Sequence, residues 1–143
     1  MPLSAVAAPD PGLGELDRAE CLALLGTVPV GRLVHTVRAL PAIVPVPYAL
    51  LSDGIYLRTA ADLARSAPEG DVVAFEADAF DARMRAGWTV VVVGRAVQVS
   101  DRSALVPLAD PPVLPWAGRP GERLLRVGLE LVSGRRLGCP TAT

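Results

Sequence analysis

At 143 residues, 51% hydrophobic and a formal net charge of −1, the chain has the apolar content of one soluble globular domain and lacks the basic excess of a nucleic-acid binder. All 14 cationic residues are Arg, and without a lysine amine there can be no internal aldimine with pyridoxal phosphate. His35 is the single histidine, so a catalytic triad or a zinc site would have to be built around it without a second imidazole.

Residues 1–14 are rich in Ala, Pro and Gly without periodicity, which predicts a flexible lead-in ahead of a domain spanning 15–137, with 138–143 as a tail. The apolar runs, such as 90–93, are far too short to cross a bilayer. The first residues lack a cationic start followed by an apolar block, so the expected location is cytoplasmic, away from membranes. Cys21 and Cys139 have neither metal-site nor disulfide-framework spacing.

The first predicted element is a helix. Asp17 and Glu20 stand in capping-box spacing, Cys21, Leu22, Leu24 and Leu25 supply an apolar face, and Gly26 suits a left-handed stop. Extended runs follow at 30–37 and 42–50, joined by Arg38-Ala39-Leu40-Pro41, in which Leu40 is an awkward turn residue. Ser52-Asp53-Gly54 is a clear tight turn into a third strand over 55–59. A short helix is expected over 60–67, then a half-buried fourth strand over 71–77 and a long central strand over 88–100. The run Trp88-Thr89-Val90-Val91-Val92-Val93 reads as buried on both faces, with a bend or bulge at Gly94. A second short helix over 101–109 and a Pro/Gly-rich loop over 110–121 lead to a final strand over 123–132, with Leu125, Val127, Leu129 and Leu131 on one face. Six strands with short marginal helices and brief turns predict a mainly β fold, a small closed or nearly closed antiparallel barrel.

Arg58 is the most informative single residue. It closes the third strand immediately before the expected helix start, and a guanidinium beside free backbone N–H groups suits a phosphate. The alternative is an edge-of-sheet arginine paired with Asp53 or Asp62.

The order of segments resembles the flavin-binding split-barrel family around pyridoxamine 5′-phosphate oxidase, in particular its short actinobacterial-type members. The matching blocks are Glu20-Cys21-Leu22-Ala23-Leu24-Leu25, Val30-Gly31-Arg32-Leu33, Pro41-Ala42-Ile43-Val44-Pro45-Val46, Gly54-Ile55-Tyr56-Leu57-Arg58-Thr59-Ala60, Val73-Ala74-Phe75-Glu76-Ala77-Asp78, Gly87-Trp88 through Ala96, Pro115-Trp116-Ala117 and Ser133-Gly134-Arg135-Arg136. The resemblance implies a six-stranded antiparallel split β-barrel with short flanking helices, and FMN held at a homodimer interface. It places Arg58 and Thr59 at the phosphate, Val46 and Tyr48 along the flavin ring, Trp88 and Thr89 on the facing side, and Trp116 at the pocket mouth. For Tyr48, Trp88 and Trp116 core packing is an equal reading.

The chain departs from the family pattern at two places. A Gly-Ser-Lys-type turn is replaced by Asp62-Leu63-Ala64-Arg65, which makes Arg65 the candidate cation in place of the lysine, and Pro47 stands where Asn is common. Two functional readings follow. One is an FMN-dependent oxidoreductase acting on a small organic substrate. The other, motivated by Asp62, Ala64 and Pro47, is a split barrel that has lost FMN and serves as a small-metabolite binding module or cofactor-free enzyme. A deazaflavin coenzyme or haem is a further alternative ligand, with His35 as the residue that brings haem into view.

Overall fold

The computed structural model describes residues 14–59, 70–83, 85–99 and 123–138. The expected helices over 60–67 and 101–109, the lead-in up to residue 13, the loop over 110–121 and the tail beyond 138 fall outside these residues. The described elements are β1 (Glu15–Leu16), α1 (Arg18–Leu25), β2 (Val30–Val37), β3 (Leu40–Leu51), β4 (Gly54–Thr59), β5 (Val72–Asp81), β6 (Ala86–Gln98), β7 (Arg123–Val127) and β8 (Leu131–Gly138). None of the described helices is long and apolar enough to cross a membrane.

Six of these strands close on themselves. β2 pairs with β3, β3 with β4, β4 with β7, β7 with β6, β6 with β5 and β5 with β2, every pair antiparallel. This is the six-stranded barrel that the segment order implied. β8 lies on the free edge of the first part of β6, and β1 adds to β8. Alternation decides the interior: Leu33, Val46, Tyr48, Ile55, Leu57, Val73, Phe75, Val90, Val92, Leu125 and Val127 form one buried cluster. Gly31 belongs to the same inward row, and a methyl group there would meet the Phe75 ring.

α1 forms as its capping residues dictate, with Asp17 accepting a hydrogen bond from the Glu20 N–H at 2.8 Å. It packs on β8 and β6, burying Cys21 and Leu25. The expectation for Gly26 is corrected. It sits at φ −76°, in the right-handed region, and the chain leaves the helix through Thr27, whose N–H and hydroxyl both bond to the Leu24 carbonyl.

The connection between β2 and β3 is tighter than expected, a two-residue turn with Arg38 and Ala39 both at positive φ (49° and 64°). Val37 pairs with Leu40, so Leu40 opens a strand and is not a turn residue. Three prolines in β3 are tolerated for a geometric reason. The Tyr48 N–H bonds to the Pro29 carbonyl, so even-numbered residues of β3 point their N–H groups at β2. Pro41, Pro45 and Pro47 occupy the odd positions, whose N–H would point away from β2, and the ladder loses nothing.

The predicted final strand is broken. Gly128, Leu129 and Glu130 stand opposite only Gly94 and Arg95, since Val127 pairs with Ala96 and Leu131 with Val93. Three residues facing two shift the alternation, so Leu125 and Val127 point inward while Leu131 points outward and is 44% exposed. The Glu130 carboxylate holds the junction by accepting from the Arg95 N–H at 3.4 Å, while the Gly128 N–H donates to the Arg95 carbonyl at 3.0 Å. The bend read at Gly94 lies at this point. A side chain there would run into the Gly128 carbonyl and the Glu130 carboxylate.

Candidate cofactor site at the end of β4

β4 ends on Arg58 and Thr59. Strand alternation sends Thr59 inward in phase with Ile55 and Leu57, and Arg58 outward in phase with Tyr56. Thr59 is 3% exposed, and its Oγ1 has no hydrogen-bond partner among the described residues. A buried hydroxyl without a partner is costly, and a ligand oxygen at this strand end would satisfy it. Asp53, one of the two acids considered as partners for Arg58, is engaged elsewhere: it accepts from the Tyr56 hydroxyl at 2.8 Å and from Arg126 at 3.1 Å. Asp62 lies outside the described residues, as do Arg65, Ala64 and Trp116.

A guanidinium and a hydroxyl are the donor types a phosphate ester takes, and the last two residues of β4 supply one on each side of the strand, Arg58 on the outer side and Thr59 on the inner. The other positions are distributed differently. Val46 and Tyr48 face into the barrel from β3. The Tyr48 hydroxyl donates to the Leu25 carbonyl at 2.5 Å, and its ring meets Phe75 edge-on at 4.7 Å between centroids. Burial pushes that phenol well above its ordinary range, so it stays protonated. Trp88 also faces inward, opposite Ala79. For the side chains of Val46, Tyr48 and Trp88 the structure shows core packing.

Thr89 points the other way, to the outer face of the sheet. Its hydroxyl donates to Glu76 Oε1 at 3.1 Å, and Arg32 reaches both Glu76 (3.5 Å) and Asp78 (3.3 Å). This cluster from β2, β5 and β6 joins three of the blocks that carried the family resemblance, yet the sequence reading passed over Arg32, Glu76 and Asp78. The available signal was parity: residues 76 and 78 alternate with buried Phe75 and Ala77, which puts two carboxylates side by side on one face.

His35 is buried on β2 opposite Ala42, and neither ring nitrogen has a partner among the described residues. Burial pulls its imidazole below the ordinary 6.5, which keeps it neutral near pH 7. Among the described residues there is no group of three or more His, Cys, Asp or Glu side chains able to hold a metal ion.

Comparison with known proteins settles the family. A family model described as pyridoxamine 5′-phosphate oxidase matches residues 17–136. The chain belongs to the pyridoxamine 5′-phosphate oxidase family. An uncharacterised protein of Mycobacterium tuberculosis is 38% identical over 135 residues, covering 90% of this chain and 88% of its own. Among solved structures, an FAD-binding protein from Mycobacterium smegmatis is 30% identical with a TM-score of 0.71, covering 90% of this chain and 100% of its own. A putative pyridoxamine 5′-phosphate oxidase from Corynebacterium glutamicum is 25% identical with a TM-score of 0.72, covering 93% and 99%. The oxidase-family barrel is thus shared along nearly the whole chain, including the strand end that carries Arg58 and Thr59.

Proposed function

We propose that this protein is a flavin-dependent oxidoreductase that holds its cofactor by the phosphate at the end of β4, acts on a small organic substrate and works as a homodimer. The observation that carries the reading is the end of β4, where an arginine is followed by a buried Thr59 hydroxyl that has no partner among the described residues. The Mycobacterium smegmatis relative is named for binding FAD, which supports a flavin, while the family resemblance implies FMN. A bound flavin would supply the hydride chemistry.

The protein's own residues would do the rest. Arg58 would neutralise phosphate charge, and Thr59 Oγ1 would take up a phosphate oxygen in place of water. The Pro47 carbonyl, which points away from β2, would be the β3 backbone group offered to a ring at residues 46–48, while Pro47 has no N–H of its own. The Tyr48–Leu25 bond holds that stretch of β3 against α1. An absorbance spectrum of the purified protein, repeated after incubation with FMN and with FAD, tests the reading. A flavin spectrum retained through gel filtration supports it, and the stronger retained partner identifies the flavin. A colourless protein that takes up neither points instead to the barrel that has lost its flavin.

A further inference from the structure

β4 runs beside β3 for only part of its length. The ladder between them spans Tyr48–Leu57 to Leu51–Gly54, and the last two residues of β4, Arg58 and Thr59, pair with β7 alone. The cause lies in β3. Continuing the register would set Pro47 opposite Arg58 with no N–H for its carbonyl, and the two strands part there. Over residues 41–47 the side of β3 turned away from β2 is therefore an edge without a strand partner among the described residues.

The hydrogen-bonding groups on this edge are one-sided. Because the Tyr48 N–H bonds to the Pro29 carbonyl, residues 42, 44 and 46 turn both backbone groups to β2, and residues 41, 43, 45 and 47 turn both away. Those residues are Pro41, Ile43, Pro45 and Pro47, so the edge offers a carbonyl at each and an N–H at Ile43 alone. Proline on an edge strand hinders pairing with another chain. It has a second consequence, which is chemical: this edge accepts hydrogen bonds from a ligand and donates almost none.

We propose that the proline-bearing edge of β3 makes this protein bind a reduced flavin more tightly than an oxidised one. This rests on the flavin reading above, which sets the ring beside residues 46–48, and adds the redox state that the edge selects. An oxidised flavin ring has a single N–H donor and several acceptors, and uptake of two electrons and two protons places further N–H donors at N1 and N5. A row of carbonyls leaves the oxidised N1 and N5 without a donor and accepts from the reduced ring. Differential affinity for two states of a ligand shifts the equilibrium between them by the same factor, so the bound flavin has a higher midpoint potential than the free one.

Spectroelectrochemical titration of the full chain loaded with FMN or FAD, whichever it retains, against the same flavin free in solution tests this. A preference of about tenfold for the reduced form raises the midpoint by about 30 mV for a two-electron couple. Pro45→Ala and Pro45→Thr, at an exposed position, share only the restored N–H, and both should bring the potential back toward the free value. Pro41→Ala, farther along the same edge, should leave it raised. A bound potential at or below the free one overturns the preference. A raised potential that survives both Pro45 variants, or that Pro41→Ala lowers as much, overturns the edge as its cause. Pro45 variants that self-associate in gel filtration with the potential unchanged also overturn it, and assign the prolines to edge protection alone. A chain that retains neither flavin overturns the flavin reading and this proposal with it.

Discussion

Arg58 and His35 are both polar residues set in a mostly apolar barrel, and they make opposite demands. A guanidinium at the strand end offers charged hydrogen bonds to an anion. Arg58→Gln should therefore weaken flavin binding by about 10- to 100-fold, the worth of one charged hydrogen bond. Fluorescence titration checks it, and an unchanged Kd would remove Arg58 from the site. His35 has no partner among the described residues to offset its burial. Its imidazole titrates below 6.5 in the folded protein, so the unfolded chain binds the proton first as pH falls. Stability is then full above 6.5 and declines as the pH drops below it. His35→Leu should abolish that decline and leave the stability at neutral pH unchanged or higher by up to about 2 kcal/mol, because an apolar replacement removes two unsatisfied nitrogens. A lower melting temperature than the wild type at neutral pH would show that the imidazole has a partner it needs.

At the scale of elements, the turn between β2 and β3 is where local sequence and geometry conflict. Arg38 and Ala39 are both held at positive φ, a conformation that costs residues with a Cβ and suits Asn-Gly. Replacing the pair with Asn-Gly should stabilise the protein by about 1 kcal/mol, measured by urea denaturation with an unchanged m-value. No gain would mean that the turn relaxes more easily than its dihedral angles imply. The helix start, by contrast, was legible because Asp17 and Glu20 act within four residues of each other. The break between β7 and β8 was not, because its cause lies across the sheet. Leu125 to Leu131 alternates without interruption in the sequence, and only the pairing with Gly94 and Arg95 inserts the extra residue.

For the whole molecule, a ligand that binds only the folded barrel must raise its melting point. FMN or FAD at about 100 times its Kd should add about 2.7 kcal/mol, or about 5 to 10 °C for a chain of this size. Absence of any shift with either flavin in differential scanning fluorimetry would count against the proposed function. The fold class and the place of Arg58 and Thr59 could be read from the chain alone, since strand periodicity, turn residues and the order of motifs are local properties written along it. Ring closure, the inward burial of Tyr48 and Trp88, and the meeting of Arg32 with Glu76 and Asp78 were decided only in three dimensions. They depend on register between strands as far apart in the chain as β4 and β7, where Ile55 pairs with Val127, and a shift of one residue would have turned each of these side chains to the opposite face.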